Sequence, residues 1–183
     1  LKDWSLPGLL EAIALVWTNK KLVLYGNSHP YYDFYALRAS YSPLRLLGPE
    51  LIGSSFWTTM KKTPFKQPTN VYSAFNGVGV YPKEALHNFH YDCLVTPSIR
   101  SFYQTILSNH PELNHLYKNI LTQEDPAVPG GTKDTFCVWK NNSGYDQPVI
   151  CEHISLNAHL LEQQYKLSIY TNLLVLPRLT YVK

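Results

Sequence analysis

The chain has 183 residues, enough for one domain with a sizeable core and short for two. Hydrophobic residues make up 45% and charged residues 16%, which excludes a disordered chain, and 13 Pro argue against a long-helix protein. Sixteen basic against thirteen acidic residues leave a net charge of +3 with no basic stripe, so no nucleic-acid partner is expected, although a nucleotide phosphate would suit the balance.

The aromatic content, 14 Tyr, 7 Phe and 4 Trp, suits wet, ring-lined clefts as well as a core. No apolar run reaches the ~18–20 residues that span a bilayer, and Leu9 to Trp17 is short and carries Glu11, so no membrane span is expected. The chain opens on Leu1 rather than Met, and an upstream segment is expected.

Ser5-Leu6-Pro7-Gly8 reads as a helix entrance, with a hydroxyl cap and Pro in the first turn. Leu9, Leu10, Ile13, Val16 and Trp17 then recur at helical spacing, and Asn19 can end the element. Lys21 to Tyr25 is a short apolar run, predicted as a buried strand stopped by Gly26-Asn27. Helix then strand is an α/β rhythm. Tyr31 to Arg38 concentrates rings and is ambiguous in type, and residues 42–70 read as a long Pro-, Gly- and Thr-rich loop. Val71 to Val80 alternates like a strand around Asn76-Gly77 and Gly79.

Ser98 is predicted to cap a helix to Asn109 with Ile99, Phe102, Ile106 and Leu107 on one face, and residues 122–135 read as a loop. Phe136 to Trp139 and Pro148 to Cys151 are predicted strands around the turn Asn141 to Gly144. Ser155 is predicted to cap a helix to about Gln164, and Leu167 to Val175 a final strand. With no repeat or linker, residues 1–183 read as one α/β domain.

Three places could hold chemistry. Asp33 lies among Tyr31, Tyr32, Phe34 and Tyr35, and a carboxylate hemmed in by rings needs a partner, which Arg38 can supply. Rings with carboxylates suit a sugar or sugar-nucleotide site, while a structural Asp–Arg pair is the plainer alternative. Phe75-Asn76-Gly77-Val78-Gly79 marks either a simple bulge or turn, or a place where ligand approaches the backbone. Cys151-Glu152-His153 follows a predicted strand and precedes a predicted helix, where α/β folds place ligands. Glu152 there can act as a general base and His153 can ligate a metal or a phosphate; a surface carboxylate beside a hydrogen-bonded His is the alternative.

His87-x-x-His90 has near-ligand spacing but no third ligand in its neighbourhood, and no Gly-x-Ser-x-Gly, Walker-type loop or His-Glu-x-x-His occurs. Cys93, Cys137 and Cys151 are odd in number and widely spaced, so at least one is expected to be a free buried thiol. Asn141-Asn142-Ser143 fits the N-glycosylation pattern, which matters in a secretory compartment.

The order of these pieces is more specific than any one of them. Asp3 and a helix, a strand, Tyr-Tyr-Asp-aromatic-Tyr-Ala-Leu-Arg, aromatic-Asn-Gly, Cys-Glu-His, then Ile-Tyr-x-Asn in a final strand resemble glycosyltransferases of the GT-A type. The likeness runs roughly from Asp3 to Asn172, nearest to chlorovirus capsid-glycosylating enzymes and more distantly to fungal capsule-associated mannosyltransferases.

The resemblance implies a GT-A-like mixed sheet flanked by helices; the family's first nucleotide-binding strands do not occur here, so either part of that N-terminal half lies before Leu1 or metal and base binding are organised differently. It implies a UDP- or GDP-sugar donor, a glycan or glycoprotein acceptor, and a divalent cation, Mn²⁺ or Mg²⁺. Tyr32, Asp33 and Arg38 would fall beside the donor sugar and diphosphate, and Asn76 and Gly77 under the reacting sugar. Glu152 would be the base and His153 its companion, orienting it or approaching the metal.

The family's Asp-x-Asp does not occur; it would fall just at or before Lys2-Asp3-Trp4, which makes Asp3 its candidate remnant and a candidate metal ligand. Phe34 and Leu173 also depart from the family's usual small hydroxyl residue and Pro. A viral enzyme of this kind would work in the cytoplasm of an infected cell, a cellular one in the Golgi lumen. The competing expectations are a carbohydrate-binding module using the same Tyr-rich cleft without turnover, and a viral or cell-surface structural domain.

Overall fold

The computed structural model describes residues 3–28, 36–38, 67–89, 97–109, 111, 138–140, 146–148 and 152–176. Helix α1 (Leu6–Thr18) starts as the sequence predicts: Ser5 Oγ accepts from the Gly8 N–H at 3.1 Å, and Pro7 occupies the first turn, where a missing N–H costs nothing. The helix ends where the Asn19 N–H donates to the Leu15 carbonyl at 2.9 Å.

Strand β2 (Leu22–Ser28) follows. It does not stop at Gly26-Asn27 as predicted, because both neighbours hold it. The Gly26 N–H donates to the Val78 carbonyl at 2.9 Å, and Asn27 and Ser28 pair with Leu174 and Val175.

The main sheet has five strands and mixed direction. β2 runs parallel to β7 (Lys166–Leu176) and antiparallel to β4 (Gly79–Val80). The other edge of β7 takes two short antiparallel strands, β3 (Thr69–Asn70) near its start and β1 (Asp3–Trp4) at its end. β5 (Val138–Lys140) and β6 (Asp146–Pro148) pair separately and antiparallel, each displaced towards the turn relative to the predicted strands.

Alternation along β2 feeds two cores, as the period of a strand requires. Val23 and Tyr25 join Leu167 and Ile169 of β7 against Leu156 and Leu160 of helix α3 (Glu152–Glu162). Leu24 joins Leu173 on the opposite face with Ala12 and Val16 of α1. Helix α2 (Pro97–Asn109) packs on α3 and buries Ile99, Phe102 and Ile106. Ser98 does not cap it from outside: the helix begins one residue earlier, on Pro97, and the Ser98 hydroxyl donates to the Glu162 carboxylate. The architecture is therefore α/β, a mixed sheet between helices. No helix among the described residues is long and apolar enough to cross a membrane.

α1 corrects the predicted apolar face. Gly8, Ala12 and Val16 face the sheet, whereas Leu10, Ile13 and Trp17 are exposed. Close approach explains this choice. The β2–β7 register jumps from Tyr25↔Ile169 to Asn27↔Leu174, so β7 bulges over Tyr170 to Leu173, and the bulge reaches α1 at Gly8. A Cβ on Gly8 would overlap the carbonyl oxygen of Asn172.

Gly8→Ala is accordingly expected to destabilise by ~1–3 kcal/mol in chemical denaturation, since backbone overlap outweighs the ~1 kcal/mol that alanine gains in a helix. A higher unfolding midpoint for this variant would show that α1 sits further from the sheet.

The same bulge carries a titrating pair. Glu11 accepts hydrogen bonds from the Tyr170 hydroxyl and from Asn172 Nδ2 at 2.9 Å, which hold its carboxyl below the usual range. Burial, and then Glu11, push the Tyr170 phenol up. The stability from Glu11 is present above the unfolded carboxylate's pKa and is lost as pH falls through the lowered folded value; that from Tyr170 is present below the ordinary phenol value and is lost as pH rises through the raised one. Glu11→Gln should flatten the acid limb of a Tm-versus-pH profile and reduce the alkaline loss; superimposable profiles for the two proteins would exclude the contact.

Candidate functional site

The carboxyl ends of β2 and β7 face the first turn of α3, because α3 runs antiparallel to the β7 strand that follows it. Beneath α3 the segment 72–77 crosses from the β3 side of β7 to the end of β2, held on both sides. The Arg38 N–H donates to the Ser73 carbonyl at 2.8 Å, and the Tyr72 and Ser73 N–H groups donate back to the Arg38 carbonyl at 2.8 and 3.2 Å. On the other side, the Phe75 ring stacks on His153 with centroids 3.8 Å apart and planes 16° from parallel.

A buried polar hub joins these parts. Asn157 lies in the apolar stripe of α3; its Oδ1 accepts from the Tyr25 hydroxyl, and its Nδ2 donates to Ser73 Oγ at 2.8 Å and the Ala74 carbonyl at 3.0 Å. Asn76 Nδ2 donates to Ser28 Oγ at 2.5 Å at the end of β2. Asn27, Ser28, Arg38, Ser73, Asn76 and Asn157 are all buried. Polar groups persist in such a place only when hydrogen-bonded, which makes this end of the sheet chemically distinct from the apolar cores beside it.

Of the residues singled out from sequence, Asn76 and Gly77 follow Phe75, which stacks on His153 beside Glu152, while Arg38 is tied to the same segment further back, at Ser73. Arg38 is wholly buried, with Nη1 donating to the Leu37 carbonyl at 2.9 Å, so the guanidinium meets protein rather than solvent. Gly77 takes φ 84°, a left-handed conformation that favours glycine, so the turn alternative accounts for it.

Glu152 and His153 do not lie between a strand and a cap at Ser155. The helix begins three residues earlier, at Glu152, and Ser155 is a buried residue inside it. A carboxylate in the first turn complements the helix dipole, which suits a start at Glu152. Its Oε1 lies 3.6 Å from Nε2 of His153, and their side chains are 62% and 16% exposed. Solvent thus reaches the carboxylate, while the imidazole is fixed by Phe75. That pair can accept a proton from a bound hydroxyl.

Asp3 pairs with Leu176, at the same end of the sheet, two strands from Ser28. Tyr32, Asp33 and the other rings around Asp33 lie outside the described residues, as do His90, the three cysteines and Asn141 to Ser143. His87 ends a short 3₁₀ helix (Lys83–Leu86) and is exposed. Among the described residues no three His, Cys, Asp or Glu side chains gather in a group that could hold a metal ion. A cleft of about 200 Å³ between α2 and α3, bordered by Tyr72, Thr105 and Glu162, contains none of the singled-out residues.

Tyr25, Ser28, Ser73 and Asn157 were not foreseen. One signal existed for Asn157: an amide at the spacing of Ile154 and Leu160, where an apolar residue is the usual choice. Asn157→Leu removes the hydrogen bonds to the Tyr25 hydroxyl, Ser73 Oγ and the Ala74 carbonyl. The expected cost is about 2–4 kcal/mol in urea unfolding. A loss under ~0.5 kcal/mol would show that the hub carries no stability.

In comparisons with known proteins, no family model, no curated protein and no solved structure matches this chain.

Proposed function

We propose that the chain is a nucleotide-sugar-dependent glycosyltransferase of the GT-A type, moving a sugar from a UDP- or GDP-sugar to a hydroxyl of a glycan or glycoprotein. The observation that carries this reading is the meeting of Asn76 and Gly77 with Glu152 and His153 beside the carboxyl end of β2, through the Asn76–Ser28 bond and the stacking of Phe75 on His153, where α/β folds bind ligands. The order of motifs in the sequence supports the same reading.

Glu152 is the proposed base. In an inverting transfer the acceptor oxygen attacks the anomeric carbon as the bond to the diphosphate breaks, and the proton of that hydroxyl passes to the carboxylate. His153, stacked on Phe75, holds the carboxylate's direction. Tyr32, Asp33 and Arg38 are proposed beside the donor, and Asn76 and Gly77 beneath its sugar. Dependence on Mn²⁺ or Mg²⁺, with Asp3 and His153 as candidate ligands, enters the proposal through the resemblance alone.

The reading as a structural domain has one observation in its favour. Arg38 and Asn76 are fully buried, and each can serve the fold without touching a ligand.

Transfer and hydrolysis assays over a panel of UDP- and GDP-sugars, with and without Mn²⁺, separate the readings. Glu152→Gln is expected to keep the wild-type melting temperature and to lose at least ~100-fold in transfer rate. EDTA is expected to abolish transfer and added Mn²⁺ to restore it. Sugar binding without turnover under all conditions would favour the binding module, and near-normal transfer by the variant would remove Glu152 from its role.

A further inference from the structure

We infer that the outer face of α1 is the interface of a two-fold dimer of this chain, in which two α1 helices pack antiparallel. α1 is built inside out. Its small residues, Gly8, Ala12 and Val16, meet the sheet, while Leu6, Leu10, Ile13 and Trp17 are 61%, 58%, 45% and 73% exposed. These four recur at i, i+4, i+7 and i+11, so they form one continuous stripe along the helix rather than scattered surface residues.

At ~150–200 Å² for a fully exposed large side chain, the exposed fractions amount to on the order of 400 Å² of apolar surface. A standard interface buries about 800 Å² per partner, a little over half of it non-polar, or roughly 450–500 Å². The stripe therefore supplies most of the apolar area that a stable dimer needs.

Symmetry selects a second copy as the occupant. A two-fold interface must be complementary to itself. The four positions are symmetric about the midpoint between Glu11 and Ala12. Antiparallel packing sets Leu6 against Trp17 of the second copy, and Leu10 against its Ile13, with the same two contacts repeated across the axis. Glu11 lies off the stripe, bonded to Asn172, so no like charges meet at the axis. A lipid surface is the competing occupant: interfacial helices are rimmed by several basic residues, whereas α1 itself carries none and the ammonium of Lys20 lies 4.0 Å over the Trp17 ring just past its end.

The test is sedimentation equilibrium of the full chain up to about 100 µM, above the micromolar affinity of weak interfaces of this size. The wild type is expected to dimerise. Leu10→Glu should raise the dissociation constant at least ~100-fold, because it buries an unpaired carboxylate against the second copy's Ile13, with the melting temperature of the isolated protomer unchanged.

The double variant Leu10→Glu/Ile13→Lys should regain dimer at low salt, since the register sets each new carboxylate against a new ammonium. A monomeric wild type, a dimer indifferent to Leu10→Glu, or a double variant as monomeric as the single one would overturn the proposal. So would co-sedimentation of the wild type with phosphatidylcholine–phosphatidylserine vesicles that Leu10→Glu abolishes while the free protein stays monomeric.

Discussion

The parallel pairing of β2 with β7 is the constraint on which the other elements depend. Parallel strands are stable when both faces are covered, and these two are covered by α3 on one side and α1 on the other. The register slip between Tyr25 and Asn27 then decides two further things. It throws the Tyr170–Leu173 stretch of β7 outward onto α1, and it lets β2 continue to Ser28. The first fixes which face of α1 is buried. The second places Ser28 within reach of Asn76.

The candidate site grows from the same pairing. α3 precedes β7 and returns along the sheet, so its first turn stands over the carboxyl ends of both strands. Glu152 and His153 occupy that turn, and Asn157, one turn further, ties the helix to Tyr25 below and to Ser73 beside it. The segment 72–77 is caught between this helix and the Arg38 bridge. A carboxylate open to solvent beside an imidazole fixed by stacking is thus mounted on a polar network that rigidifies its surroundings. Such a site suits proton transfer at a bound hydroxyl, which is the step the proposed reaction asks of it.

α1 shows how a local pattern can be right and its orientation wrong. The spacing of Leu9, Leu10, Ile13, Val16 and Trp17 does mark a helix, and Ser5 and Pro7 begin it where expected. Periodicity names an apolar stripe but not the surface it meets. Here the sheet presents a protruding carbonyl at Asn172, and only a helix face with glycine at position 8 can lie against it. The bulky stripe is left on the outside, where a second copy of the chain can bury it.

Much of the architecture was legible because it is written in short-range signals. The helix at 6–18 has its cap, the final strand its apolar run, and the α/β alternation its order of elements. The start of α3 was not, since Ser155 offers a better cap by composition than anything before Glu152, while burial of Ile154, Ser155 and Asn157 inside the helix overrides that preference. Composition and order along the chain supply the residue types available for chemistry: Asp3, Arg38, Asn76, Gly77, Glu152 and His153. Tertiary pairing alone brings Asn76 and Gly77 to Glu152 and His153 beside the end of β2, with Asn157 tying the helix to Tyr25 and Ser73 nearby. Pairing between strands far apart in the chain sets those distances, and no local preference of any residue encodes a register.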